Sequence, residues 1–225
     1  MKADFTPKNT GLMFKADMII AYLEKRKNQT RRVKGLQLIN ESPDDWQLIF
    51  KPKHEGIRFV SFGHKSTHQV VHLNMPYGGL NDTLHFKETY RMWERDEDGR
   101  DFIHYRADDA KVDPTWWNDE DWLKVHSGWF EKWNSSMFMP RRFSRFREVP
   151  IVNVRAERLQ DISAADCVNE GVGERIETSR WNVESRWEEE KRKLYFSLWD
   201  SINGRTLPAS KNPWVWVYEF QFNKE

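Results

Sequence analysis

Between Lys15 and Lys27, the apolar residues Met18, Ile19, Tyr22 and Leu23 recur at helical spacing. This predicts a short helix that runs into a basic stretch, then a turn entering a strand by Gly35. From 36 to 75 the pattern changes to short β-branched and aromatic runs, "WQLIFK", "IRFVSF" and "HQVVHLNM", separated by Pro, Gly, Lys and Glu, as expected of successive strands. "GGLNDTLHFKETY" reads as a turn leading into a strand that carries Lys87, Glu88 and Thr89. Residues 94–138 break the pattern: "ERDEDGRD" is an acidic turn, "FIHYRAD" a strand, and "DPTWWNDEDWLKVHSGWFEKWNSS" mixes Trp with acidic residues without a sustained period. This stretch reads as an insertion whose tryptophans pack over the rest of a single domain spanning 1–225.

Strand character returns in "RFREVPIVNVRAERLQ", where Val152, Val154 and Ala156 alternate with polar neighbours. "DISAADCVNEGVG" marks a helix with Ser163 as N-cap, Asp166 three residues on and Gly171 as its stop. A charged helix over about 183–199 follows. The final run "NPWVWVYEFQF" alternates Trp214, Trp216 and Tyr218 with Val215 and Val217, a strand signature. Short strands in succession with few helices predict an α+β fold built on a small β-barrel or open sheet.

With 36 basic against 35 acidic residues, the chain is no global polycation, so contact with nucleic acid requires a local patch. One cysteine, Cys167, excludes an internal disulfide or a thiolate cluster and reads as a small buried hydrophobe. No apolar run reaches the length of a membrane span and no signal peptide is apparent, so the expectation is a soluble, cytoplasmic protein without a membrane partner. Twelve tryptophans can fill a core or stack on bases, and composition does not choose between the two.

Candidate chemistry concentrates in "EKRKNQTRRVKG", where Lys25, Arg26, Lys27, Arg31, Arg32 and Lys34 surround Thr30. His64, His68 and His72 recur at steps of four but lack an acidic partner motif, and no metal or cofactor is expected. No Walker loop, GxGxxG or GxSxG is present.

"RKNQTRR" at 26–32 resembles the signature of the ASCH family, a branch of the PUA-like β-barrel proteins. The likeness recurs in "FKETYRMW", "HYRAD", "MFMPRRFSR", "VNVRAERLQDIS" and "LWDSINGR" with "NPWVWVYEF", which look like the longer phage and prophage type and span most of 11–222. The resemblance implies a compact β-barrel with flanking helices and a cleft for a modified nucleoside or for RNA or DNA. Small bacterial members are amidohydrolases that remove the acetyl group of N4-acetylcytidine with a Lys, a Thr and a Glu, which correspond here to Lys27, Thr30 and Glu170. Lys25 and Asn28 stand where members often have Gly and Thr, and Lys87 where the long type usually has Arg.

On this reading Thr30 attacks the amide, Lys27 takes its proton and Glu170 protonates the leaving nitrogen. Neighbouring cations lower the pKa of Lys27, and a helix C-terminus raises that of Glu170. Arg26, Gln29, Arg31, Arg32, Lys87, Glu88 and Arg141 are the candidate substrate- or nucleic-acid-binding residues. Two alternatives use the same residues: a non-catalytic module that binds RNA or modified nucleic acid, and a ribonuclease acting on single-stranded RNA.

Overall fold

The computed structural model describes residues 6–52, 54–93, 102–113, 132–172 and 184–222. The chain forms β1 (Asn9–Met13), α1 (Ala16–Leu23), β2 (Gln29–Arg32), α2 (Gln37–Asn40), β3 (Trp46–Phe50), β4 (Phe59–His64), β5 (Val70–Asn74) and β6 (Thr83–Lys87). It continues with β7 (Tyr90–Trp93), β8 (Phe102–Tyr105), β9 (Lys111–Val112), β10 (Val149–Arg158), α3 (Ala164–Asn169), α4 (Glu184–Asn203) and β11 (Trp214–Phe220). The fold class is α+β, as expected.

The central sheet has the order β1-β6-β10-β11-β2, with β1 parallel to β6 and the other pairs antiparallel. No sheet among the described residues closes into a barrel, which corrects the small-barrel expectation. The two edge strands exchange no ladder; instead the Arg32 guanidinium donates to the Met13 carbonyl at 3.0 Å and so ties the end of β2 to the end of β1. A side chain replaces the backbone pairing that closure requires.

β11 is buried on both faces. Trp214, Trp216 and Tyr218 enter a large core with Phe14, Tyr22, Phe62 and Phe86, while Val215 and Val217 enter a second one with Cys167, Tyr195 and Trp199. The two-residue alternation of the terminal run therefore separates two cores rather than core from solvent. The sheet β3-β4-β5 closes over the larger core through Phe62, whose ring meets Trp214 edge-on at 4.9 Å.

Local departures from the sequence reading have local causes. Val152 is 44% exposed although its spacing groups it with buried Val154 and Ala156, because a register shift between Ile151 and Asn153 turns the strand over. β6 ends at Lys87, so Glu88 and Thr89 lie in the link to β7. Within the expected insertion, β8 and β9 pair with β7, which precedes it, in a three-stranded sheet on which Trp133 packs with the Arg91 guanidinium 4.6 Å from its ring centroid. Trp116, Trp117, Trp122 and Trp129 lie outside the described residues. Cys167 is free and fully buried, and burial pushes its thiol up to about 12. No helix among the described residues is long and apolar enough to cross a membrane.

On β6, His85 shares a 2.6 Å hydrogen bond through Nδ1 with Asn9 Oδ1. Burial first, and then the charges of Lys87 and Arg141, depress it from 6.5 to about 4. A histidine held neutral in the fold protonates more readily when unfolded, so its contribution is complete above pH 6.5 and is lost as pH falls toward 4. Urea unfolding of wild type and His85→Gln should show this: the wild type loses on the order of 1–2 kcal/mol over that interval, allowing for solvent screening, and the variant's pH slope is flatter.

Candidate functional site

α1 ends in a turn that positions the basic stretch. Glu24 caps the helix, Lys25 takes a left-handed conformation (φ 58°), and the N–H groups of Arg26 and Lys27 both donate to the Ala21 carbonyl at 2.8 and 3.0 Å. The chain then runs directly into β2, whose Thr30 and Arg31 pair with Tyr218 and Val217 of the buried strand β11. Glu170 arrives from the other side, at the end of α3. Ser163 caps that helix by accepting from the Asp166 N–H at 3.0 Å, and Gly171 (φ 87°) terminates it. A Cβ at Gly171 would stand 3.0 Å from Ala21 Cβ and 3.3 Å from Lys27 Cβ, so glycine permits the close approach of the two turns. There Lys27 and Glu170 form an isolated antiparallel bridge.

Lys27 is 1% exposed, and all three of its ammonium hydrogens are engaged: with the Gln29 carbonyl at 2.8 Å, the Glu170 carbonyl at 2.7 Å and Glu170 Oε2 at 2.9 Å. Burial, the largest influence, holds its pKa below the usual ammonium value; Glu170 opposes this, and Arg32 and Arg31 add to the lowering. The expectation of a depressed lysine is met, with desolvation rather than neighbouring cations as the principal cause. Arg26 takes no part; half-buried, it pairs with Glu24 and donates to the Gly171 carbonyl.

Arg31 holds the centre of a buried ionic network. Its five N–H groups are all used: on Glu157 Oε1 twice (3.2 and 2.6 Å), Gln29 Oε1 (2.7 Å), Glu170 Oε1 (3.1 Å) and Asp166 Oδ2 (3.1 Å). Burial works against its charge, yet Glu170 and Glu157 hold its pKa above the ordinary value. Gln29 is also fully committed, donating to Asp166 and Glu219 while accepting from Arg31. Arg155 extends the network to Glu157, Asp166 and Glu219. Every side-chain donor of Arg31 and Gln29 is thus engaged within the protein.

Beside this network lies a cavity of about 310 Å³ between β2 and α4. Its buried floor includes Thr30, Arg31, Glu170, Tyr195 and Trp199; Lys34, Gln37 and Ile202 stand at the exposed mouth, and Arg32 and Tyr77 lie between. Thr30 and Glu170 thus share one cavity, while Lys27 lies behind Glu170 and does not line it. Lys87, Glu88 and Arg141 do not line it either. Glu88 is buried against Arg145 with both oxygens at 2.8 Å, and burial raises its pKa against that arginine. Lys87 donates to the Met137 carbonyl at 2.5 Å, and exposed Arg141 pairs with Glu148 at 2.8 Å.

No family model, curated protein or solved structure matches this chain.

The sequence reading missed α4's contribution. Tyr195, Leu198, Trp199 and Ile202, at positions i, i+3, i+4 and i+7, share one helix face and line the cavity, a stripe that was available within the charged helix. Tyr195 is 4% exposed, its ring lies 5.7 Å from the Arg31 guanidinium, and its hydroxyl has no hydrogen-bond partner among the described residues. Burial raises its pKa well above 10, so it enters the cavity as a protonated donor.

Removing Arg31 leaves Glu157, Asp166 and Glu170 without their shared counter-charge. Arg31→Met should lower unfolding free energy by about 3–5 kcal/mol in denaturant titration, whereas Arg26→Met, which severs a half-exposed pair, should cost under about 1 kcal/mol.

Proposed function

We propose that the chain is an ASCH-type, PUA-like protein whose cavity accepts an N-acylated nucleobase or nucleoside and hydrolyses its exocyclic amide. The observation that carries this reading is a carboxylate, Glu170, held between Lys27 and Arg31 on the floor of a cavity it shares with Thr30. The left-handed backbone at Lys25, where the resembled family often has Gly, supports the family reading independently of the site. A volume of about 310 Å³ suits a compact ligand better than a strand, which favours a nucleoside over the RNA-cleaving alternative.

In this reading the roles differ from those the resemblance implies. Glu170 Oε2 accepts from Lys27 and Oε1 from Arg31, and Glu170 rather than Lys27 lines the cavity. Thr30 Oγ adds to the acyl carbon as Glu170 takes the hydroxyl proton. The C–N bond then breaks as that proton passes to the departing nitrogen. Water hydrolyses the threonine ester, Glu170 again moving the proton, and acetate is released. Lys27 and Arg31 hold the Glu170 carboxylate in place through their hydrogen bonds, and the Tyr195 hydroxyl donates to the carbonyl oxygen as negative charge develops on it.

Incubation with N4-acetylcytidine and related N-acylated nucleosides, with the freed amine followed chromatographically, tests this. Glu170→Gln should lower kcat/KM by about 10²–10³-fold, and Tyr195→Phe, which removes only a hydroxyl, by about 10–100-fold with the far-UV spectrum retained. Absence of turnover in the wild type, or turnover unchanged in both variants, would sink the proposal.

A further inference from the structure

The charges that line the cavity do not balance among the described residues. Arg31 is consumed by three carboxylates, and Glu170 is itself compensated by Lys27 and Arg31. The two remaining charged side chains, Arg32 and Lys34, have no carboxylate partner among the described residues. Arg32 is nonetheless firmly placed. It closes the last position of β2, donates one N–H to the Arg31 carbonyl at 3.3 Å and one to Met13 at 3.0 Å, and lies 5.6 Å from the Phe14 ring centroid. Of a guanidinium's five N–H groups, three have no acceptor among the described residues. Lys34 follows two residues later at the exposed mouth, its ammonium 5.8 Å from the ring of Tyr77, which also lines the cavity.

We infer that Arg32 and Lys34 form a phosphate subsite at the outer part of the cavity, and that the ligand is therefore a nucleoside monophosphate rather than a free nucleoside. The inference rests on the nucleoside reading above for what fills the floor, but the subsite itself rests on the charge balance alone. A phosphate monoester carries about −1.5 to −2 at pH 7 and matches two uncompensated cations, whereas a phosphodiester of a strand carries a single charge. An arginine pre-placed by two carbonyls loses little freedom on engaging the phosphate, and the lysine adds a point charge where solvent and ligand meet.

Equilibrium binding of cytidine, cytidine 5′-monophosphate and ribose 5-phosphate to the full chain at low ionic strength separates the parts. The monophosphate should bind about tenfold or more tighter than cytidine, and added salt should reduce that ratio. Arg32→Gln should bring the ratio close to one, and Lys34→Gln, at an exposed position that cannot unfold the protein, should reduce it about threefold. Equal binding of cytidine and its monophosphate to wild type, or a ratio that neither variant changes, would overturn the subsite. Should cytidine fail to bind while ribose 5-phosphate binds in an Arg32-dependent manner, the subsite stands and the nucleoside reading falls. Competition by an oligonucleotide lacking a terminal phosphate at the strength of the monophosphate would overturn the monoester assignment.

Discussion

Glu170 sits where a helix end, a strand and a turn from opposite parts of the chain meet, and its carboxylate is held by Lys27 at 2.9 Å and Arg31 at 3.1 Å. Three nearly dehydrated charges so close together are tolerable only when every donor and acceptor is used. The surrounding residues satisfy this condition: Gln29, Glu157, Asp166 and Arg155 take up what the central three leave over. Against the opposing effect of burial, Gln29 and the guanidiniums of Arg31 and Arg155 hold the Asp166 carboxyl below its usual range. Such an arrangement contributes less to stability than an apolar core of the same volume; what it does is specify one geometry, because any other leaves an orphaned charge.

That geometry rests on β11. Its ladder with β2 places Thr30 and Arg31 in register with Tyr218 and Val217, and the two apolar cores on its faces hold it from both sides. α4 packs into the smaller core through Tyr195 and Trp199, the same residues that line the cavity. Wall and core are therefore continuous on the β2–α4 side, while Val33, Lys34 and Tyr77 contribute to the lining from turns and links. The described tryptophans of the terminal run serve the fold: Trp214 and Trp216 are buried, with indole N–H groups donating to the carbonyls of Pro43 and Lys34.

A second ionic centre, Arg145 with Glu88 and Asp108, follows the same rule on another part of the molecule. It joins the loop after β6 to the end of β8 and lies with the Arg145 guanidinium 4.5 Å from the Tyr105 ring. The Arg145 guanidinium donates to both Glu88 oxygens at 2.8 Å, which gives both residues a structural task.

The sequence by itself determined what depends on a few adjacent residues: the start of α3 at Ser163 and its stop at Gly171, the alternation of β11, and the helix that ends just before the basic stretch. Cap chemistry, glycine freedom and two-residue periodicity act over one turn or one strand and are visible in order. It also singled out Lys27, Thr30 and Glu170. What only the tertiary structure decided was the fate of each charge. Arg26, Arg31 and Arg32 are alike in the sequence, yet one pairs with Glu24 at a half-buried position, one is spent on three carboxylates and one keeps donors with no acceptor among the described residues beside a cavity. The partners that separate them, at 157, 166 and 170, lie more than a hundred positions away, and Tyr195 joins them from a helix that reads as merely charged. Composition records which charges a chain carries; burial and the count of donors in three dimensions decide which of them remain available to a ligand.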